Sequence, residues 1–158
     1  MLNKDYKDIL LTLNEEKASY ILVDAYALAA HGYPRATMDI DIWVKPSPEN
    51  SEAVLKAIRR FGAPLVNLTQ KDLLRNDTVF QIGVAPRRID IITGASGLRF
   101  EDAERNAVKV KIDGIEIKIL SLQDLIINKV ASGRPKDIVD ADMLKSLARN
   151  AEKSARTN

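Results

Sequence analysis

Apolar residues recur along this chain with two different periods, and the alternation between them predicts the order of helices and strands. Residues 5–13 set Tyr6, Ile9, Leu10 and Leu13 three or four apart, the spacing of an amphipathic helix that ends near Asn14. Residues 20–23, Tyr-Ile-Leu-Val, read as a buried strand, and residues 25–30 as a short helix stopped by Gly32 and Pro34. Residues 38–44 alternate. On a strand, Asp39 and Asp41 then share one face while Ile40, Ile42 and Val44 share the other. Ser47 or Ser51 caps a helix over residues 49–61, with Val54, Leu55, Ile58 and Phe61 on one face. Residues 62–68 have no clear period. A short helix over 70–75, strands over 78–82 and 88–93, a loop over 94–98 and a polar helix over 100–106 follow. Residues 108–112 and 115–119 alternate around Asp113-Gly114, a two-residue hairpin signal. Ser121 and Asp124 open a helix over 121–131, Ser132-Gly133-Arg134-Pro135 breaks it, and Pro135 starts a last helix to about Ala148. Residues 150–158 read as a frayed tail.

Composition narrows the class. A chain of 158 residues, 46% hydrophobic and 29% charged, suits one folded domain over residues 1–150 with a flexible tail over 151–158. The absence of Cys excludes a disulfide framework, a thiolate metal site and a Cys nucleophile. The N-terminal MLNKDYKDILL carries acids and lacks the apolar core of a signal peptide, and no apolar run is long enough to span a membrane. The expected location is the cytoplasm. A formal charge of +2 indicates no bulk attraction to nucleic acid, though it leaves room for a local basic patch.

The candidate chemistry lies in three acids. Two carboxylates on one strand face repel, and burying them is costly without a cation between them. A divalent ion such as Mg²⁺ takes carboxylate oxygens and answers that cost; an edge strand with a wet face is the plainer explanation. Asp90 is a third acid, alone amid Ile89, Ile91 and Ile92. Either Arg87 or Arg88 pairs it, or it lies on a neighbouring strand facing Asp39 and Asp41. Three acids on adjacent strands would hold two metal ions, with Asp90 as general base or as the ligand that positions the nucleophile.

An apolar residue and a small pair leading into a helix, then D-h-D-h about nine to thirteen residues later, then an acid on a later strand, is a pattern that resembles the nucleotidyltransferase superfamily related to the polymerase beta palm. Here the pair position is Asp24-Ala25, the motif is Asp39-Ile40-Asp41-Ile42, and the later acid is Asp90. The strings ALAAHGYPRATMDIDIWV and Asn128 to Asp140 (NKVASGRPKDIVD) resemble more closely the branch of AbiEii-type toxins. The resemblance spans about residues 20 to 147. It implies an α/β (α+β) fold with a mixed sheet of about five strands flanked by helices and a C-terminal helical hairpin. It also implies Mg²⁺- or Mn²⁺-dependent transfer of a nucleoside monophosphate from an NTP to an acceptor hydroxyl. Asp39, Asp41 and Asp90 are then the catalytic and metal-holding residues. Asp24, Ala25, Arg35, Thr37, Lys129 and Lys136 are the expected nucleotide contacts. The acceptor would be a tRNA or a protein, with a cognate antitoxin as possible partner and no membrane. Two alternatives remain: an enzyme modifying a small molecule such as an antibiotic, and a catalytically silent nucleotide- or partner-binding protein.

One departure from that pattern is Asp24, where the family normally has Gly. Asp24 caps the helix, adds a metal ligand and changes the substrate, or has cost the protein its activity. His31, the sole histidine, reads as structural, bonding the following loop. Arg35 pairs a carboxylate or grips a phosphate, and Thr37 donates to phosphate or starts the strand. Trp43 flanks a base or covers an edge. Lys129, Arg134 and Lys136 form the best basic cluster, Asp137 and Asp140 read as salt-bridging, and Lys109, Lys111 and Lys118 as a solvated face.

Overall fold

The computed structural model describes residues 2–157. Six strands form one mixed sheet in the order β3-β4-β2-β1-β6-β5. They are β1 (Tyr20–Val23), β2 (Asp39–Val44), β3 (Val79–Ile82), β4 (Arg88–Ile92), β5 (Val108–Ile112) and β6 (Ile115–Ile119). The count is one above the expected five; the β5–β6 hairpin joins the sheet through a parallel pair in which Leu22 of β1 lies opposite Ile119 of β6. Its turn is built as the Asp113-Gly114 signal predicts. Both residues take positive φ, 50° and 80°, which matches the twist of the flanking strands.

The helices are α1 (Lys4–Glu15), α2 (Ala25–Ala30), α3 (Pro48–Phe61), α4 (Gln70–Leu74), α5 (Phe100–Asn106), α6 (Leu122–Ser132) and α7 (Pro135–Thr157). Tyr6, Ile9, Leu10 and Leu13 of α1 are buried, as are Val54, Leu55, Ala57 and Ile58 of α3. Together with Ile40, Ile42 and Val44 they build the core on one face of β2. Burying each Val, Leu or Ile side chain among them contributes about 1.5–3 kcal/mol. Ser47, rather than Ser51, caps α3, accepting from the backbone N–H of Asn50. Residues 62–68 form no helix or strand.

The C-terminal helical hairpin is present. α6 ends at Gly133, whose φ of 70° supplies the left-handed stop. α7 then continues to Thr157, past the expected end near residue 148. The reason is local: residues 149–157 contain no Gly or Pro and several good helix formers, so nothing halts the ladder even though residues 151–156 are exposed. Asn158 of the expected tail, like Met1, lies outside the described residues.

Candidate active site

β2 and β4 run parallel with Asp41 opposite Asp90 and Asp39 opposite Arg88. Strand periodicity therefore puts Asp39, Asp41 and Asp90 on one face. One carboxylate oxygen from each lies within 4.8 Å of the others. Asp39 and Asp41 are half-buried and Asp90 is buried. Ile89 and Ile91, flanking Asp90, go to the opposite, apolar face, so the acid that interrupts the run is the one that faces the cavity.

Both readings of Asp90 hold at once. It faces the other two acids, and Arg88 pairs it. The Arg88 guanidinium donates from Nε to Asp90 at 3.1 Å and from one terminal nitrogen to Asp39 at 2.6 Å. Thr37 donates its hydroxyl to the Asp39 carboxylate at 3.0 Å, which fixes its orientation. One cation does not balance three acids. Burial, reinforced by Asp39, Asp24 and Asp90, pushes the Asp41 carboxyl up to about 8, and Asp41 holds a hydrogen bond with Asp90. This donor set of hard, crowded, under-neutralised oxygens fits a divalent cation of the Mg²⁺ or Mn²⁺ kind. The cavity in front of it encloses about 470 Å³ and is bounded by Asp24, Ala25, Arg35, Thr37, Arg134 and Lys136 as well as the acids.

Beside the acids lies a second cluster of opposite character. Lys129 of α6 is buried, with its ammonium 2.8 Å from Asp24, 3.3 Å from Asp140 and 3.6 Å from Asp137. Arg35 holds Asp140 through both terminal nitrogens, one at 2.8 Å. Arg134 holds Asp137 at 2.7 and 3.3 Å. Burial works against the Lys129 charge, but the hydrogen bond and charge of Asp24, then those of Asp140, outweigh it and hold its pKa above the ordinary lysine value. Asp137 is also fully buried, yet Arg134 and Lys129 outweigh that burial and hold its carboxyl below the usual range. The expected salt-bridging role of Asp137 and Asp140 is thus seen directly. Arg35 takes the carboxylate option, since its fork is committed to Asp140.

Asp24 does not cap α2. Its side chain makes no cap hydrogen bond, and its backbone sits at φ 58°, ψ −133°. An L-residue held so far from its favoured wells pays on the order of 1–3 kcal/mol. The carboxylate turns instead to Lys129, a residue 105 positions away that no local pattern links to it. Ala25 is buried and lines the cavity. Lys136 is exposed and lines it as well.

The remaining candidates resolve as structural. The His31 Nε2–H donates to the Leu120 carbonyl at 2.7 Å. Trp43 is buried on β2, a central strand, and meets Phe100 edge-on at 5.1 Å, so it neither covers a sheet edge nor offers a face to a base. Sequence reasoning did not foresee that Arg88 bridges two acids or that Arg134 borders the cavity. The first follows from strand pairing, which sequence does not specify; the second was signalled only by its place in the basic cluster.

Residues 1–149 match the family described as nucleotidyltransferases of unknown function (DUF6036). A comparison with curated proteins finds no match. Among solved structures, the fold is similar to that of a Thermotoga maritima protein, TM1012, described as a candidate nucleotidyltransferase and determined at 1.87 Å. The two are 16% identical, the alignment covers 95% of this chain and 96% of that one, and the TM-score is 0.57. At that identity the likeness speaks to the fold alone. No helix among the described residues is long and apolar enough to cross a membrane.

Proposed function

The chain belongs to the nucleotidyltransferase family DUF6036, and from that premise we propose that it moves a nucleoside monophosphate from an NTP to an acceptor hydroxyl. The observation that carries the proposal is the meeting of Asp39, Asp41 and Asp90 across β2 and β4 in a cavity rimmed by cations. In the reaction the acceptor oxygen bonds to the α-phosphorus while the bond to the β-phosphate oxygen breaks, and pyrophosphate leaves. Asp90, the most buried of the three, takes the acceptor's proton. Thr37 holds Asp39 in place, while the exposed Lys136 supplies positive charge where the phosphates enter. Asp39, Asp41 and Asp90 would hold the divalent ions, which when bound would supply neutralisation of phosphate charge and favour ionisation of the attacking hydroxyl.

The finer assignment follows the motif strings. Under it the protein is an AbiEii-type member acting in the cytoplasm on a tRNA or protein acceptor, with a cognate antitoxin as partner, and residues 1–150 work as one domain. One observation favours a second reading, a catalytically silent nucleotide- or partner-binding protein: the strained Asp24 brings negative charge to the cavity where phosphates would enter.

Calorimetry with the four NTPs, Mg²⁺ or Mn²⁺, and concentrations into the millimolar range tests the premise. Metal-dependent binding is expected in the wild type and is lost in the Asp39→Asn/Asp41→Asn double variant. Absence of metal-dependent binding to all four nucleotides overturns the proposal. Labelled-NTP transfer to tRNA and protein then separates an active enzyme from a silent binder.

A further inference from the structure

The cluster around Lys129 contains three cations, Lys129, Arg35 and Arg134, and three carboxylates, Asp24, Asp137 and Asp140. The carboxylates are not equivalent. Asp137 and Asp140 are fully buried, and each is gripped by an arginine as well as approached by Lys129. Among the described residues Asp24 forms its ion pair with Lys129 alone, its side chain is 33% exposed, and it stands on the wall of the carboxylate cavity. It is also the member with an unfavourable backbone, at φ 58°. Two of the three acids are therefore built into the α6–α7 hairpin, while the third reaches across to it from the end of β1. Remove Asp24 and the cluster carries one uncompensated positive charge beside a cavity, at a nearly buried ammonium.

We propose that Lys129 is the centre of an oxyanion site, that the Asp24 carboxylate fills it from within the chain, and that a phosphate group of the substrate is the ligand it would otherwise take. The proposal rests on the nucleotidyltransferase reading only for the identity of the phosphate; the site itself follows from the ion pairs. The Asp24 oxygen marks the position, 2.8 Å from the Lys129 ammonium, where a phosphate oxygen would sit. A phosphate bound there must displace a tethered carboxylate, so Asp24 acts as a built-in competitor that weakens nucleotide binding. It also adds a fourth acid near Asp39, Asp41 and Asp90, raising the negative charge that an entering phosphate meets.

The experiment uses inorganic tripolyphosphate without metal as probe, by calorimetry, on the wild type, Asp24→Asn and Asp24→Gly, with circular dichroism to establish folding. Asp24→Asn keeps the side-chain shape and removes the charge; Asp24→Gly also removes the backbone strain. Both variants are expected to bind the probe at least about tenfold more tightly than the wild type. Lys129→Met added to Asp24→Gly is expected to return affinity to the wild-type level. Equal affinity in folded wild type and both variants overturns the proposal, as does a gain in Asp24→Gly alone, which would trace the effect to backbone freedom rather than charge. A parallel arm with Mg²⁺ and NTP keeps the two readings apart. Metal-free tripolyphosphate binding by Asp24→Asn together with no Asp39- and Asp41-dependent NTP binding leaves the oxyanion site standing and removes the nucleotidyltransferase reading. Metal-dependent NTP binding that is unchanged by either Asp24 variant does the reverse.

Discussion

Two groups of aspartates border one cavity, and they are stabilised in opposite ways. On β2 and β4, Arg88 pairs Asp39 and Asp90, while burial, reinforced by the charges of Asp39, Asp24 and Asp90, pushes the Asp41 carboxyl up to about 8. Under α6 and α7, Asp137 and Asp140 are more deeply buried, yet Lys129, Arg35 and Arg134 meet them at close range, and the Asp137 carboxyl is held below the usual range. Burial pushes both acids toward the neutral form; the counter-charge around each decides whether that push prevails. The under-neutralised group has capacity for a cation from solution. The compensated group holds the helical hairpin against the sheet.

That contrast is most strongly tested by removing Lys129. Lys129→Met leaves Asp24 without its ion-pair partner and takes one of two cations from each of the fully buried Asp137 and Asp140, and breaking such a group should destabilise the protein by about 3–5 kcal/mol in a denaturant titration. A loss under about 1 kcal/mol would mean that the hairpin is held by apolar packing alone. Neutralising the other group should act in the opposite direction. Asp41→Asn removes a crowded, half-buried acid, so the metal-free variant is expected to melt several degrees above the wild type at pH 8. A lower melting temperature would mean that the acids are already compensated without metal.

The pH dependence follows with signs worked out separately for the two groups. The folded Asp41 carboxyl keeps a proton that the unfolded chain releases, so its contribution to metal-free stability falls as pH rises from about 4 to about 8. Asp137 is depressed, so its contribution is present above the ordinary carboxylate pKa and is lost as pH falls through its folded value. Calorimetric melting across pH should show both limbs, with saturating Mg²⁺ flattening the alkaline one. An alkaline limb of the same slope in Asp41→Asn would assign it to another group. The smallest expected effect is that of Arg35→Lys, which loses the two-nitrogen grip on Asp140 but keeps the charge. A cost of about 1 kcal/mol in the same denaturant titration fits a partly exposed arginine; no change would show that the fork is dispensable.

Much of the fold was legible because it is written at short range. Period-two alternation located β2 and the β5–β6 hairpin, and Asp113-Gly114 specified the turn between them. Gly133 and Pro135 marked where one helix stops and the next begins. The length of α7 was missed for a different reason: amphipathic pattern signals packing, and the last turns of α7 are exposed, so only their helix-forming composition kept them regular. Of the candidate site, the shared face of Asp39 and Asp41 is a property of one strand and could be read directly. That Asp90 joins them depends on β2 pairing with β4 in a particular register; the lone acid in an apolar run left this as one of two readings, and the motif resemblance favoured it.

The chain by itself determined which residues are acids on a strand face, where the glycine stops fall, and which helices have an apolar side, because each of these depends on backbone geometry over a few residues. Only the tertiary structure decided which cation each acid meets. Arg88 could serve Asp39 only once two strands lay side by side, and Lys129 could reach Asp24 only once α6 closed over the end of β1. Electrostatic compensation acts through space at distances of a few ångströms, and sequence separation carries no information about which charges folding brings that close.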